Sequence, residues 1–292
     1  MTSDAGGGAP RAVVLGAAGQ LGREVASELR RRGTEVLAAD RSRADLRDTG
    51  GTVALAAGFG ARAVYNCAAY TDVDGCESDM DRAIEVNGRA PGRLAAALPS
   101  NCRMIHVSTD YVFDGLGHRP YREGDVTSPR TAYGRSKLRG ERGVLDGAGL
   151  VVRTSWVFGP EGRNFVSAIA SRIGEGAPAR VVSDQVGCPT YAPYLARALV
   201  DLACVGASGI VHYCNAPATS WHGFALAIAD TLGLSVPITP IPSSELTRPA
   251  VRPAYSVLDT SRFEALTKRG VECWRPGLDD YFERLGQGKA ES

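Results

Sequence analysis

The feature that most constrains this chain is a glycine-rich segment set between a short apolar run and an amphipathic run. Ala12 to Leu15 is continuously apolar, the glycine-rich segment Gly16 to Gly22 follows, and helical periodicity runs from about Gln20 to Arg32 and stops at Gly33. Strands buried on both faces appear as continuous apolar runs, and glycine often follows the last turn of a helix. We therefore predict a strand, a glycine turn and a helix in direct succession.

The same alternation continues through the first half of the chain. Four more strands are predicted between helix-period segments, at Glu35 to Ala39, Ala63 to Asn66, Arg103 to Val107 and Leu150 to Thr154. Strands that alternate with helices form a parallel sheet covered on both faces. The predicted fold class is therefore α/β, a doubly wound parallel sheet of Rossmann type.

The regular alternation breaks down beyond Trp156. Prolines recur there, at Pro160, Pro178, Pro189 and repeatedly from Pro237 to Pro253, and they interrupt helices and strands. We predict a dinucleotide-binding domain over residues 11–157 plus about 181–213, and a smaller, partly C-terminal substrate-binding region over 158–180 and 214–286. Residues 1–10 are predicted to be a flexible tail and residues 287–292 a terminal tail.

Composition argues against several classes of protein. The 33 basic and 32 acidic residues give a formal net charge of +1, so no strong field would draw the chain onto nucleic acid or an anionic membrane. The seven cysteines are scattered and never spaced as C-x-x-C, which indicates neither a disulfide framework nor a metal site. No apolar run approaches the ~20 residues that span a bilayer, and Met1 to Pro10 lacks the pattern of a signal peptide. We therefore expect a cytoplasmic protein with reduced thiols.

The glycine-rich segment is suited to binding phosphate. Small residues let the backbone approach a pyrophosphate closely, and the N-terminus of the following helix offers free N–H groups. The glycines Gly16, Gly19 and Gly22 follow the spacing G-x-x-G-x-x-G, which is typical of short-chain dehydrogenases. Because glycine makes up 35 of 292 residues, a turn without a ligand is the alternative. Its position directly after the first strand favours a dinucleotide.

The end of the second predicted strand carries charges of both signs. Asp40 can accept hydrogen bonds from the hydroxyls of an adenosine ribose, which favours NAD. Arg41 and Arg43 follow, and a guanidinium there can pair with a 2′-phosphate, which favours NADP. We predict NADPH as the cofactor with NADH as an alternative, while a solvated turn would explain the two arginines equally well.

A tyrosine and a lysine provide a candidate acid–base pair. Tyr133 and Lys137 are four residues apart in a helix-period segment, so both side chains lie on one face. A nearby ammonium favours the phenolate, and we therefore predict a lowered pKa for Tyr133. Ser108 and Thr109 follow the fourth predicted strand, at the sheet edge where ligands gather. A hydroxyl there can orient a carbonyl oxygen, and turn capping is its alternative role.

Together these motifs resemble the dTDP-4-dehydrorhamnose reductase family, over about Arg11 to Leu285. Besides the glycine-rich segment and the Tyr133–Lys137 pair, the resemblance is carried by Asn66 to Asp74, Ser108 to Phe113, Arg153 to Gly159, Asp184 to Thr190 and Arg252-Pro253. Two positions depart from the family pattern, because Cys67 and Cys188 stand where alanine is usual.

The resemblance implies a role for each matching residue. Catalysis is expected from Thr109, Tyr133 and Lys137. Cofactor contacts are expected from Gly16, Gly19, Gln20, Leu21, Gly22, Asp40, Arg41, Asp45, Leu46, Ala68, Ala69, Tyr70, Tyr133 and Lys137. Contacts with the sugar are expected from Val73, Thr109, Asp110, Tyr133, Trp156 and Arg252.

The implied reaction is NAD(P)H-dependent reduction of the 4-keto group of a dTDP-4-keto-6-deoxyhexose such as dTDP-4-dehydrorhamnose, in deoxysugar biosynthesis. Hydride goes to the ketone carbon, Tyr133 protonates the forming alkoxide, Lys137 keeps the phenol poised and Thr109 binds the ketone oxygen. An epimerase of the same superfamily and a non-catalytic binding or regulatory subunit are the alternatives. A dehydratase is disfavoured, because Tyr111 stands where that activity needs an extra acid. The sequence decides neither the sugar nor the oligomeric state, and a homodimer is compatible with it.

Overall fold

The computed structural model describes residues 9–290, and its largest element is a six-stranded parallel sheet. The strands are β1 (Arg11–Leu15), β2 (Glu35–Ala39), β3 (Ala63–Asn66), β4 (Arg103–Thr109), β5 (Leu150–Thr154) and β10 (Gly209–His212). They lie in the order β10-β5-β4-β3-β1-β2, and every neighbouring pair is parallel. The predicted α/β fold and its five strands are confirmed, and β10 is a sixth strand that was not predicted.

Helices cover the sheet and build the rest of the molecule. They are α1 (Gln20–Arg31), α2 (Thr49–Phe59), α3 (Val73–Ser78), α4 (Met80–Ala83), α5 (Ala90–Ala97), α6 (Ala132–Asp146), α7 (Phe165–Gly174), α8 (Ala192–Cys204), α9 (Trp221–Thr231), α10 (Ser261–Thr267) and α11 (Trp274–Ala290). A π-helical segment, Ile84–Arg89, joins α4 to α5.

The first strand shows why the sheet needs helices on both faces. Ala12 and Val14 pack in the core formed with α1 and α8, whereas Val13 and Leu15 pack in the opposite core with α2 and α5. Because strand side chains alternate between faces, a strand covered on both sides must be apolar throughout. Full burial of each such side chain contributes about 1.5–3 kcal/mol, so these strands anchor the fold.

A third hydrophobic core lies outside the large sheet. It is built by residues of α7, α9 and α11, with Phe158, Tyr191 and Trp274 among its buried side chains. Six short strands accompany it, namely β6 (Val157–Phe158), β7 (Ala179–Val182), β8 (Val186–Gly187), β9 (Thr190–Tyr191), β11 (Thr219–Ser220) and β12 (Ile238–Ile241). They form the pairs β6–β9, β7–β12 and β8–β11, each of which joins segments distant in sequence.

The two chain ends differ from each other. Residues 1–8 and 291–292 of the predicted tails lie outside the described residues, and Ala9 and Pro10 are exposed without regular structure. At the other end α11 continues to Ala290, so a helix occupies most of the predicted terminal tail 287–292. Its first turns are anchored by buried Trp274, Leu278 and Tyr281, and each further residue then extends the helix at low cost.

The seven cysteines are all free thiols. Between residues 9 and 290 no cluster of three His, Cys, Asp or Glu side chains has the arrangement of a metal site. No helix in that range has the combined length and apolar character needed to cross a lipid bilayer.

Candidate active site

A cavity of about 670 Å³ lies along the edge of the large sheet where the parallel strands end. Its wall includes residues that follow β1, β2, β3, β4 and β5. Ligands of open α/β sheets bind at this edge, where the strand order reverses. Of the predicted site residues, all within the described part of the chain, only Arg252 lies outside the wall of this cavity.

The glycine turn forms one end of the cavity. Gly16 has a φ of +72°, and a Cβ there would lie 2.8 Å from the backbone nitrogen of Ala68. A Cβ on Gly22 would lie 2.2 Å from the carbonyl oxygen of Gly16. Gly19 is the N-cap of α1, and among the described residues no side chain caps the first turn of that helix. The turn therefore brings bare backbone and the positive end of a helix dipole to the cavity, as a pyrophosphate requires.

Gln20 contributes a buried polar atom without a partner at the same end. Its Nε2 donates to the carbonyl oxygen of Val157 at 3.3 Å, which fixes the amide. Its Oε1 is buried, and no described residue hydrogen-bonds to it. Together with the glycine turn, this free acceptor fits a dinucleotide as the occupant of the cavity.

Asp40 caps the turn that follows β2. Its Oδ1 accepts hydrogen bonds from the backbone N–H and the hydroxyl of Ser42, at 2.9 and 2.6 Å, and from the backbone N–H of Arg43 at 3.2 Å. These hydrogen bonds, that of the Ser42 hydroxyl first, lower the pKa of Asp40. The carboxylate is exposed and lines the cavity, where it can meet a ribose.

The basic residues of this turn are arranged differently from the prediction. Arg41 and Arg47 line the cavity, whereas Arg43 does not. Arg47 makes a two-point hydrogen bond to Asp45, at 3.0 and 2.6 Å, and Arg41 lies 3.6 Å from the same carboxylate. The Arg47 guanidinium is the main cause of the lowered pKa of Asp45. The turn capped by Asp40 places Arg47 and not Arg43 in the cavity wall together with Arg41. Arg47 was not among the predicted residues.

The candidate acid–base pair lies on α6, which begins beside the loop after β4. The Thr131 side chain caps the helix by accepting from the backbone N–H of Gly134 at 3.0 Å. A Cβ on Gly134 would lie 2.2 Å from the carbonyl oxygen of Tyr111, so only glycine allows this approach. The close contact brings Tyr133 and Lys137 to the cavity wall, on one face as predicted.

Tyr133 contacts residues of the loop after β4. Thr109 lies near enough to the Tyr133 hydroxyl to oppose the rise in its pKa, and the Tyr133 ring meets Tyr111 edge-to-face at 5.5 Å. Burial raises the pKa of Tyr133, and the charge of Asp110 raises it further. The predicted lowering by Lys137 is therefore wrong for this site: burial dominates the pKa of Tyr133, and Nζ of Lys137 is directed at β4.

Lys137 is directed at β4 and not at the phenol. Its Nζ donates to the carbonyl oxygen of Val107 at 2.6 Å and lies 3.3 Å from Nε2 of His106. Burial lowers the pKa of Lys137 to about 8, against the opposing influence of Glu141 and Cys67. His106 was not among the predicted site residues, because a single histidine in an apolar strand carries no motif.

The two hydroxyls at the end of β4 have different partners. Ser108 donates to Glu141 at 2.5 Å, and Glu141 is held by the buried guanidinium of Arg153 at 2.9 and 2.7 Å. Thr109 donates to Oδ1 of Asp110 at 2.9 Å. Ser108 therefore ties the strand to a buried ion pair, and Thr109 is the hydroxyl that reaches Tyr133.

Asp110 lies in the cavity wall and is almost fully buried. It is 3% exposed, and its Oδ2 makes no hydrogen bond of good geometry among the described residues, although the Ser256 hydroxyl is near enough to lower its pKa. Burial raises the pKa of Asp110 to about 6. Burial disfavours the charged carboxylate, so a further donor such as a sugar hydroxyl would stabilise it.

Trp156 lines the cavity from the turn after β5. Its φ is +47°, a left-handed conformation that a bulky residue rarely adopts. Trp221 stacks on its ring, and Gly187 is so close that a Cβ there would lie 2.6 Å from Cε2 of Trp156. The indole is therefore fixed by its neighbours as a flat wall of the cavity.

Arg252 is not among the residues of the cavity wall, and its contact with the sugar stays a prediction. Its guanidinium donates two hydrogen bonds to Asp74, at 2.9 and 2.8 Å, and Asp74 also accepts from the backbone N–H of Ala250. Asp74 follows Val73, which does line the cavity. The ion pair therefore holds the proline-rich segment against α3.

Comparison with known proteins shows the family. The sequence matches the profile of the RmlD substrate binding domain over residues 11–287. The chain belongs to this family. The dTDP-4-dehydrorhamnose reductase of Streptomyces griseus is 41% identical over 290 residues, which cover 94% of each chain. The resemblance drawn from the sequence motifs is thus confirmed.

Further relatives agree over the same length. The dTDP-4-keto-6-deoxy-D-glucose reductase of Streptomyces niveus is 36% identical over 280 residues, covering 94% of this chain and 97% of its own. The crystal structure of dTDP-4-dehydrorhamnose reductase from Bacillus anthracis in complex with NADP superposes with a TM-score of 0.91. That protein is 29% identical, and the match covers 95% of this chain and 100% of that one. The names of these relatives refer to different sugars, although each relative matches this chain over nearly its whole length.

Proposed function

We propose that this chain reduces the 4-keto group of a dTDP-4-keto-6-deoxyhexose, such as dTDP-4-dehydrorhamnose, in deoxysugar biosynthesis, with NADPH as cofactor and NADH accepted. The observation that carries the proposal is the convergence of Thr109, Tyr133 and Lys137 at one cavity whose far end is an open glycine turn. The names and the shared length of the relatives support the same reaction.

The cavity residues divide into those that would hold the cofactor and those that would hold the sugar. We assign the pyrophosphate to Gly16, Gly19, Gln20, Leu21 and Gly22, the adenosine to Asp40, Arg41, Asp45 and Leu46, and the rest of the cofactor to Ala68, Ala69, Tyr70, Tyr133 and Lys137. We assign the sugar to Val73, Thr109, Asp110, Tyr133 and Trp156 in the cavity wall, and to Arg252, which Asp74 holds next to Val73. Bound nicotinamide supplies the hydride that the ketone carbon accepts.

Tyr133 acts as the proton donor. Because burial raises its pKa, the phenol stays protonated near neutral pH and can give its proton to the more basic alkoxide formed from the ketone. Thr109 turns its one hydroxyl hydrogen from Asp110 to the same oxygen and so stabilises the charge that develops there. The carboxylate of Asp110, which lies in the cavity wall, accepts from a hydroxyl of the sugar and orients the ring.

The reaction is tested with purified protein and a panel of dTDP-4-keto sugars, by following the absorbance of the reduced nicotinamide. One NADPH should be oxidised for each sugar reduced. Conversion of the sugar without net oxidation of NADPH would favour an epimerase. Binding without conversion of any sugar in the panel would favour a non-catalytic subunit.

The proposal also concerns location and assembly. Seven free cysteines support a reducing compartment, and we propose the cytoplasm. A homodimer is also proposed, and sedimentation of the purified protein would test it.

A further inference from the structure

An arginine in the cavity wall is held by an aromatic ring in place of a carboxylate. Arg82 lies on α4, and its guanidinium carbon is 4.4 Å from the centroid of the Tyr70 ring, a distance at which a cation and an aromatic face attract each other. Both residues line the cavity, and the Arg82 side chain is exposed. Val86, one helical turn further along, lines the cavity too, so this face of the helical segment is directed at it.

Arg82 also differs from the other arginines of the wall in its partners. Arg41 and Arg47 both lie against the carboxylate of Asp45. For Arg82 and Arg163 the described part of the chain supplies no carboxylate at ion-pair distance, and of these two only Arg82 is held by an aromatic ring. A guanidinium keeps its charge at every working pH. Arg82 therefore offers a ligand a full positive charge that no carboxylate of the described residues neutralises.

Both partners of this contact are anchored through the backbone. The N–H of Tyr70 donates to Oδ1 of Asn87 at 2.8 Å, and Nδ2 of Asn87 donates to the carbonyl oxygen of Tyr70 at 2.9 Å. Asn87 is 1% exposed, so water does not compete for these hydrogen bonds. Asp79 caps α4 by accepting from the backbone N–H of Arg82 at 3.2 Å. The Tyr70 ring is therefore a fixed platform for the guanidinium.

This platform lies next to the glycine turn. A Cβ on Gly16 would lie 2.8 Å from the backbone nitrogen of Ala68, so the segment that follows β3 touches the turn. Tyr70 is two residues beyond Ala68, which is at most about 7 Å of extended chain. The stacked cation is therefore anchored close to the phosphates that the glycine turn is proposed to bind.

Charge balance indicates what such a cation would bind. Each phosphate of a dinucleotide pyrophosphate carries a negative charge, whereas the N-terminus of α1 provides the equivalent of only about half a positive charge. The proposed function assigns Arg41 to the adenosine end, and Arg47 lies beside it on the same carboxylate. A diphosphate at the glycine turn therefore needs a further cation, and Arg82 is anchored beside that turn.

We propose that Arg82, held on the Tyr70 ring, binds the diphosphate of the dinucleotide cofactor together with the glycine turn. The proposal rests on the proposed function only in requiring that a dinucleotide occupies the cavity. Arg82 lies outside the segments that carry the family resemblance, so no motif predicted it. The diphosphate of a dTDP-sugar has the same chemistry, but the contact between Gly16 and Ala68 favours that of the cofactor.

The test uses ligands that separate the two diphosphates. ADP-ribose carries the diphosphate of the cofactor without the nicotinamide and without a 2′-phosphate, and dTDP carries the diphosphate of the sugar substrate. In calorimetric titrations at low salt, Arg82→Ala should raise the Kd for ADP-ribose by about tenfold, because a charge-assisted hydrogen bond is lost at a partly screened position. The Kd for dTDP should not change, and the loss for ADP-ribose should shrink as salt rises.

Arg89→Ala is the matched control for the lost charge. Arg89 lies on the same helical stretch, pairs with Glu85 at 3.7 Å and is not part of the cavity wall. Its replacement should leave both Kd values as in the parent. An equal loss of ADP-ribose affinity in Arg89→Ala would overturn the proposal, because it would show an effect of overall charge.

A double-mutant cycle tests the role of the ring. Tyr70→Leu removes the platform, so the additional loss of ADP-ribose affinity caused by Arg82→Ala should be several times smaller in that background than in the parent. Equal losses in the two backgrounds would overturn the role of Tyr70 as a platform.

The remaining outcomes distinguish this inference from the proposed function. An unchanged Kd for ADP-ribose in Arg82→Ala, or a rise in the Kd for dTDP alone, would overturn the inference. If Arg82→Ala does not fold, Arg82→Gln removes the charge, keeps most of the stem and gives the same comparison. If the parent protein does not bind ADP-ribose, the cofactor assignment fails together with the inference. An unchanged Kd in the variant alone leaves the proposed function intact.

Discussion

Trp156 lies face to face with Trp221, with ring centroids 3.5 Å apart and planes 5° from parallel. Trp156 follows β5 of the large sheet, and Trp221 begins α9 in the third core. The left-handed backbone of Trp156 costs of order 1–3 kcal/mol, and an aromatic pair returns about 0.5–1.5 kcal/mol. The stack therefore helps to hold the cavity wall in an otherwise unfavourable conformation.

Removal of the Trp221 ring should weaken sugar binding more than cofactor binding. In Trp221→Ala we expect the KM for the sugar to rise by about tenfold, as expected for about 1.4 kcal/mol of lost support, with little change in the Kd for NADPH. Leu226→Ala, at an exposed position of the same helix, is the control and should behave as the parent. An equal loss for sugar and cofactor would show general destabilisation.

Replacement of Tyr133 by Phe should remove the proton donor and keep the ring. We expect kcat to fall by ~10²-fold or more, with the Kd for NADPH nearly unchanged. Tyr65→Phe, in β3 and away from the cavity wall, should leave kcat close to that of the parent. Near-normal turnover by Tyr133→Phe would remove Tyr133 from the mechanism.

Cofactor preference should depend on Arg41 and Arg47. Their double replacement by Ala should lower kcat/KM for NADPH by about tenfold at low salt, while NADH is nearly unaffected, because only NADPH carries the 2′-phosphate. The loss should shrink as salt rises, since both side chains are exposed. Arg43→Ala, outside the cavity wall, is the control and should change neither cofactor. If the ratio of kcat/KM for NADPH to kcat/KM for NADH is unchanged in the double variant, these arginines belong to a solvated turn that does not contact the cofactor.

Asp110→Asn should stabilise the fold near neutral pH while it impairs catalysis. The pKa of Asp110 is about 6 in the folded protein and about 3.9 when unfolded, so the folded state binds the extra proton between these values. The stability contribution of this group is present below pH 4 and lost as pH rises through 6. The Asn variant should therefore gain up to about 3 kcal/mol over the parent at pH 7 and little at pH 4.

Urea unfolding of both proteins across this pH range measures that difference. The pKa of buried His212 is lowered to about 3, so this residue reduces the free energy of unfolding as pH falls. Because His212 is present in both proteins, its effect cancels in the difference. A difference independent of pH would mean that Asp110 does not titrate in this range.

Features that depend on local sequence were predictable. The glycine turn and the buried strands each occupy a few consecutive residues, and α6 carries Tyr133 and Lys137 on one face because helix geometry fixes that spacing. The β10 strand was missed because Gly209–His212 is short and becomes a strand only through pairing with β5.

Features that depend on distant contacts were not predictable. Arg252 finds Asp74 across 178 positions of sequence, and Glu141 and Arg153 meet only once α6 packs on β5. The raised pKa of Tyr133 follows from burial, which no residue spacing shows. His106 is a polar residue in an apolar strand, and this conflict with burial was the one signal that could have identified it.

The path of the chain limits how specificity could be exchanged between relatives. After β5 the chain leaves the large sheet in a first excursion, which contains α7 and β7, and it returns to the sheet with α8 and β10. It then leaves the sheet in a second excursion, which contains α9 and β12. The β7–β12 pair joins the first excursion to the second. A chimera with a single crossover point would therefore place mismatched partners in one small sheet. Transfer of sugar selectivity requires that both excursions be exchanged together, with α8 and β10 left in place.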